Sequence, residues 1–126
     1  VVLWEAHSIR GTLPFLFEGP LPDLNLGTAS GASCSPELEA RMTAQLQAQS
    51  TFGFVANGRF KGGHITRHYG RPETGVEAVQ LEISQRCYMD EETFAWDAAR
   101  AGRLQPLLRT LIEDAIGYAT GDSRRA

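Results

Sequence analysis

The chain has 126 residues, with 12 basic and 15 acidic side chains, 42% apolar residues and two cysteines. That is the arithmetic of one soluble globular domain, and the nearly cancelling charge argues against a nucleic-acid partner or a polyacidic tail. No apolar run approaches the roughly 20 residues of a membrane-spanning helix, and no basic-then-apolar signal segment opens the chain, so no membrane partner is expected and the expected compartment is the cytoplasm. Cys34 and Cys87 sit in no CxxC pair and read as free thiols.

The charge is segregated along the chain. Between Ala40 and Pro72 there is no acid, while Arg41, Arg59, Lys61, Arg67 and Arg71 supply five positive charges. The remainder is strongly acidic. A basic segment inside an acidic chain points to a small anionic ligand rather than to a polyanion.

In chain order, residues 1–6 form a short apolar run that predicts an interior strand delivering His7 and Ser8 at its C-terminal end. The run starts at the first residue and no methionine precedes it, which is the mark expected of a truncated domain. Residues 11–35 are rich in Gly, Pro and Ser, pinned by Leu13, Phe15, Leu16 and Phe17, and predict a long ordered loop with a short strand at 23–27. Ser35-Pro36-Glu37 supplies an N-cap, a first-turn proline and an acid, and opens a helix that ends near Ser50 with Leu38, Met42 and Leu46 on one face.

Residues 52–55 predict a strand, Asn57-Gly58 a turn, and residues 65–69 a second short strand after the glycine-rich Arg59-Phe60-Lys61-Gly62-Gly63. Residues 76–84 alternate, with Val79, Leu81 and Ile83 on one face and Gln80, Glu82 and Ser84 on a wet face. Residues 103–120 carry apolar side chains at three- and four-residue spacing, an amphipathic helix covering a sheet, and 121–126 read as a frayed end. Strands separated by helices and long connections give an α/β architecture with a mixed sheet. Two helices are thin cover for both faces of such a sheet, so some apolar surface is expected to remain exposed.

Several residues are candidates for chemistry, each with a plainer alternative. His7, following an apolar strand, suits a metal or proton transfer, since ligands gather at the carboxyl ends of strands; the alternative is a histidine hydrogen-bonded at a strand end. Glu82 suits a general base, or is simply the wet side of an amphipathic strand. Residues 57–71 combine glycine with Asn57, Arg59, Lys61 and Arg67, suited to hold a carboxylate, or form a solvated basic hairpin. Arg10 is a further anion binder, or a surface salt bridge. His64 and His68 have a zinc-like spacing only on a helix, and the segment reads as strand. Cys34 precedes a helix N-terminus, where a thiol can be activated, or is a small buried residue.

Five ordered blocks lift the residues out of anonymity. They are His7-Ser8-Ile9-Arg10; Pro22 through Thr28 (PDLNLGT); Asn57 through Gly63 (NGRFKGG); Ile65 through Gly70 (ITRHYG); and Gln80-Leu81-Glu82 with Tyr88-Met89-Asp90-Glu91. In this order they resemble the C-terminal half of N-formylglutamate amidohydrolases, a specific signal because of its length. Glu5, His64 and Cys87 depart from the family pattern.

The resemblance implies a zinc carboxypeptidase-like hydrolase of α/β/α layers, carboxypeptidase/phosphorylase-like and incomplete in this chain, with residues 1–126 as the C-terminal portion of one domain. It implies cleavage of N-formyl-L-glutamate to formate and L-glutamate, the closing step of one route of histidine degradation. By the same resemblance His7 would be the last of three zinc ligands, with the others upstream of this chain, and Glu82 would activate the metal-bound water. Asn57, Arg59, Lys61, Arg67 and Arg10 would hold the dicarboxylate substrate or polarise its formyl oxygen. Lacking two ligands, the chain alone would hydrolyse little. The alternatives are a related amidohydrolase acting on another N-acyl amino acid, or a non-catalytic domain that binds acidic amino acids.

Overall fold

The computed structural model describes residues 1–121, so the expected frayed end lies almost entirely outside the described residues. Four strands, β1 (Val2–Ile9), β2 (Leu24–Gly27), β3 (Phe54–Ala56) and β4 (Glu77–Ser84), form one mixed sheet in the order β1-β4-β2-β3. β1 runs parallel to β4, β4 antiparallel to β2, and β2 parallel to β3. Among the described residues three α-helices accompany the sheet: α1 (Pro36–Gln47), α2 (His64–Tyr69) and α3 (Ala98–Ala119).

The sheet is asymmetric because each strand sorts its side chains by parity. Leu24, Leu26, Val79 and Leu81 point to one face and join Leu38, Met42 and Leu46 of α1 and Leu104, Leu111 and Ala115 of α3 in a single buried core. The opposite face carries Glu5 and His7 from β1, Gln80, Glu82 and Ser84 from β4, and Asn25 from β2. It is covered by loops and by the short α2. The expected α/β/α layering therefore holds fully on one side only.

α1 follows its sequence signals: Ser35 caps it by accepting from the Leu38 amide, and Pro36 occupies its first turn. α3 begins five residues ahead of the expected start, because Asp97 caps it by accepting from the Arg100 amide. Pro106 inside this helix removes one backbone donor, tolerated because Gly102 and Pro106 both lie on its exposed side.

Three expectations need correction. β1 continues through His7 to Ile9, so His7 lies within the strand, and β1 forms an edge of the sheet rather than its interior. β4 is an interior strand, flanked by β1 and β2; its supposed wet face is buried, with Gln80, Glu82 and Ser84 at 5%, 6% and 0% exposure. Residues 65–69 form the helix α2 rather than a strand. Gly62, at φ 117°, turns the chain into it, and Thr66 alone buries its side chain. Ile65 and Tyr69, both exposed, are four apart, which is the helical spacing.

Candidate active site

The β1–β4 register sets His7 directly opposite Glu82. Their side chains approach with His7 Nδ1 3.9 Å from Glu82 Oε2. Glu5, two residues before His7 and so on the same face, takes the other ring nitrogen: Oε2 lies 2.6 Å from His7 Nε2. The imidazole is thus held between two carboxylates while remaining nearly half exposed. Burial raises the Glu82 carboxyl above its usual range, partly opposed by His7. A buried carboxyl of this kind holds a proton more readily than a surface glutamate.

Asn25 stands opposite Glu82 on its other side and donates from Nδ2 to the Glu82 carbonyl at 3.1 Å and to the Pro22 carbonyl at 2.9 Å. Ser84 Oγ also donates to the Pro22 carbonyl, so the loop 11–22 is tied to this face. The middle of that loop meets the basic segment where Phe17 packs edge-on against Phe60. The long loop frames the site, as its length and composition suggested.

The basic segment crosses the same face at Gly27. A side-chain carbon there would come within 2.7 Å of the Lys61 carbonyl carbon and 2.8 Å of the Gly62 nitrogen, so only glycine admits the crossing. Two hydrogen bonds hold the crossing: Ala29 N donates to the Lys61 carbonyl at 2.7 Å, and Gly63 N donates to Gln80 Oε1 at 2.9 Å. Arg59, Lys61, Arg67 and Arg71 are all exposed and form no salt bridge among the described residues. Arg67 rests one guanidinium nitrogen on the Gly62 carbonyl at 2.8 Å. Arg41, the fifth charge of the segment, stands apart on α1, paired with Glu37 and lying over the Tyr118 ring.

Two candidate binding residues are engaged within the chain. Asn57 accepts from the Thr28 and Ser30 amides and donates to Thr28 Oγ1 and Glu39, so its amide shapes the 28–30 turn. Arg10 donates to the Glu91 carbonyl at 2.9 Å and pairs with Glu92 at 3.3 Å, tying the end of β1 to the acidic turn. Residue-by-residue reading missed Glu5, Asn25 and Gln80; the available signal was strand parity, which puts Glu5 beside His7 and Gln80 beside Glu82. Cys34 and Cys87 are buried, and burial pushes both thiols up to about 12, so Cys34 is no nucleophile at neutral pH.

His64 and His68 do lie on a helix, their rings stacked with centroids 5.0 Å apart. Neither they nor His7 belongs to a group of three or more His, Cys, Asp or Glu side chains able to hold a metal among the described residues. Catalytic zinc ordinarily takes three protein ligands. His7 offers one nitrogen, and the described residues by themselves do not make up a zinc site. No helix among the described residues is long and apolar enough to cross a membrane.

Comparison with known proteins places this geometry in a family. The chain is 53% identical over 118 residues to an N-formylglutamate deformylase of Pseudomonas aeruginosa, a match spanning 93% of this chain and 44% of that protein. A second N-formylglutamate deformylase, from Pseudomonas putida, is 48% identical over the same shares. The fold superposes with a TM-score of 0.75, at 25% identity, on the crystal structure of N-formylglutamate amidohydrolase from Ralstonia eutropha, covering 100% of this chain and 46% of that one. The chain therefore spans less than half the length of the relatives it matches. Residues 1–89, which hold both members of the His7–Glu82 pair and the whole basic segment, match the sequence profile of N-formylglutamate amidohydrolases, and the chain belongs to that family.

Proposed function

We propose that this chain supplies the general base and the anion-binding segment of an enzyme that hydrolyses N-formyl-L-glutamate to formate and L-glutamate. The observation that carries the reading is the buried Glu82, paired across the sheet with His7 on the face that the unpaired cations of residues 59–67 cross.

The substrate has two carboxylates and one formamide, so its site needs cations, a base for water and a proton for the leaving amine. Arg59, Lys61 and Arg67 hold the carboxylates, the arginines through their planar forks. Glu82 takes a proton from water as its oxygen attacks the formyl carbon. The carboxyl then gives that proton to the amine nitrogen as the C–N bond breaks, releasing formate and glutamate. Its raised proton affinity suits both halves of the exchange. Glu5 fixes the orientation of His7 by holding Nε2, and Gln80 holds the loop that carries Lys61. Asn57 and Arg10 act as positioning residues, consistent with their internal hydrogen bonds. His7 would be this chain's single ligand to a zinc ion, whose further ligands would come from the part of the relatives that this chain does not span, and the ion would polarise the formyl oxygen.

The test is a substrate panel on a chimera in which this sequence replaces the matched region of the Pseudomonas aeruginosa relative. N-formylglutamate is expected to be cleaved at least tenfold more efficiently than N-formylaspartate or N-acetylglutamate. Equal cleavage of all three, or binding of glutamate without any cleavage, would overturn the reading.

A further inference from the structure

Gln80 holds an unengaged donor on the face that carries Glu82. In the sheet it lies between Glu5 of β1 and Gly27 of β2, and Gly27 is where the basic segment crosses. Its Oε1 accepts from the Gly63 amide at 2.9 Å. That bond fixes the side-chain amide, because turning it over would set Nε2 against another N–H donor. Nε2 therefore points its two N–H groups elsewhere, and no acceptor among the described residues takes either of them. Glu5, its neighbour on β1, turns its carboxylate to His7 instead. Asn25 Oδ1 and Thr66 Oγ1 are sealed off without a partner, whereas Nε2 still reaches solvent. On a residue only 5% exposed, an unmade donor is costly, and its place in the site calls for an acceptor that enters from outside the chain.

Strand geometry says which acceptor arrives there. Gln80 and Glu82 are two residues apart on one face of β4, about 6.6–6.8 Å along an extended strand. In N-formylglutamate five bonds lead from the formyl carbon to the side-chain carboxyl carbon, a reach of roughly 6 Å when extended, and three bonds lead to the α-carboxyl carbon, roughly 4 Å. With the formyl carbon over Glu82, the side-chain carboxylate is the group that comes to Gln80. We propose that Gln80 is a specificity-determining residue whose Nε2 donates to the side-chain carboxylate of the substrate, reading its distance from the scissile bond while the cations of residues 59–67 supply the charge. The inference rests on the proposed function and deepens it.

The experiment uses the chimera that carries this sequence in the Pseudomonas aeruginosa relative, as parent and as Gln80→Glu. The variant keeps an oxygen for the Gly63 amide and replaces Nε2 by a second oxygen, which repels a carboxylate and accepts from an amide. By calorimetry its preference for L-glutamate over L-glutamine is expected to fall at least about thirtyfold, and kcat/KM for N-formylglutamate to fall by a similar factor, chiefly through KM. The parent gives an independent reading: the side-chain amide resonances of Gln80 should shift on adding L-glutamate and stay in place on adding L-alanine, which has the α-carboxylate alone. The proposal fails if Gln80→Glu leaves the preference unchanged or weakens both ligands alike, which would leave Gln80 only its hold on the loop. It also fails if glutamate does not bind or does not move the Gln80 amide signals. A chimera that binds glutamate through Gln80 and cleaves no formyl compound leaves this inference standing and overturns the proposed function. One that cleaves N-formylglutamate with a preference untouched by Gln80→Glu does the reverse.

Discussion

Gly27→Ala is a sensitive probe of how the basic segment is held on the sheet. The Gly27 backbone is not in the left-handed region, so alanine adopts it without strain. In open space the change would stabilise the fold by roughly 0.5 kcal/mol through the unfolded chain. Here the new methyl group would meet the Lys61 carbonyl carbon at 2.7 Å, the Gly62 nitrogen at 2.8 Å and the Lys61 oxygen at 2.9 Å. All three are backbone atoms, which cannot swing aside as a side chain would, so the loop must lift. Lifting it breaks the Ala29–Lys61 and Gly63–Gln80 hydrogen bonds, each worth about 1 kcal/mol. The net cost is about 1.5 kcal/mol, or a fall in Tm of about 5–8 °C for a chain of this size. Thermal and urea unfolding measure it, and amide exchange at Ala29 and Gly63 should accelerate together. Gly102→Ala is the control: nothing lies within 4 Å of its added carbon, and it sits inside α3, so it should stabilise by about 0.5–1 kcal/mol. A Gly27→Ala protein as stable as the parent, with Gly63 exchange unchanged, would refute the crossing.

Glu82→Gln should raise Tm at neutral pH, because the folded state holds the Glu82 carboxyl above its unfolded proton affinity and ionising it there opposes folding. Stability of the parent therefore falls as pH rises through the folded pKa, and below the unfolded value of about 4.3 the glutamine advantage should vanish. Melting curves from pH 4 to 8 test this, and a difference that does not change with pH would contradict it. Asn57→Ala should cost about 1–2 kcal/mol in urea unfolding, because the amide of the buried Thr28 loses its acceptor while that of the exposed Ser30 can turn to water. A loss under 0.5 kcal/mol would show that the amide is not what shapes the 28–30 turn.

Local signals made much of the fold legible. Ser35-Pro36 announced α1, and the alternation of residues 77–84 announced β4. What no local signal carries is which strands lie side by side. The pairing of His7 with Glu82 joins residues 75 positions apart, and the same pairing puts β4 in the middle of the sheet and turns an apparently wet face into a buried one. α2 replaces the strand expected there because six residues give periodicity little to work with, and the helix depends on the Gly62 turn and on Thr66 packing beneath it. Arg10 and Asn57 carried the right chemistry for an anion, but the acidic turn at Glu91 and the amides of Thr28 and Ser30 engage them first. The thin cover expected from two helices reappears as the exposed Ile112 and Ile116 beside β1.

Everything proposed for the chemistry turns on Glu82 as the base for water. Its most direct test is kcat for N-formylglutamate hydrolysis by the full-length chimera carrying Glu82→Gln, which keeps the shape of the side chain and removes its basicity. A fall in kcat of roughly 10²–10⁴ is expected with KM little changed, since the proposed carboxylate-binding cations of residues 59–67 are left intact. A Glu82→Gln enzyme turning over at near the parent rate would contradict it.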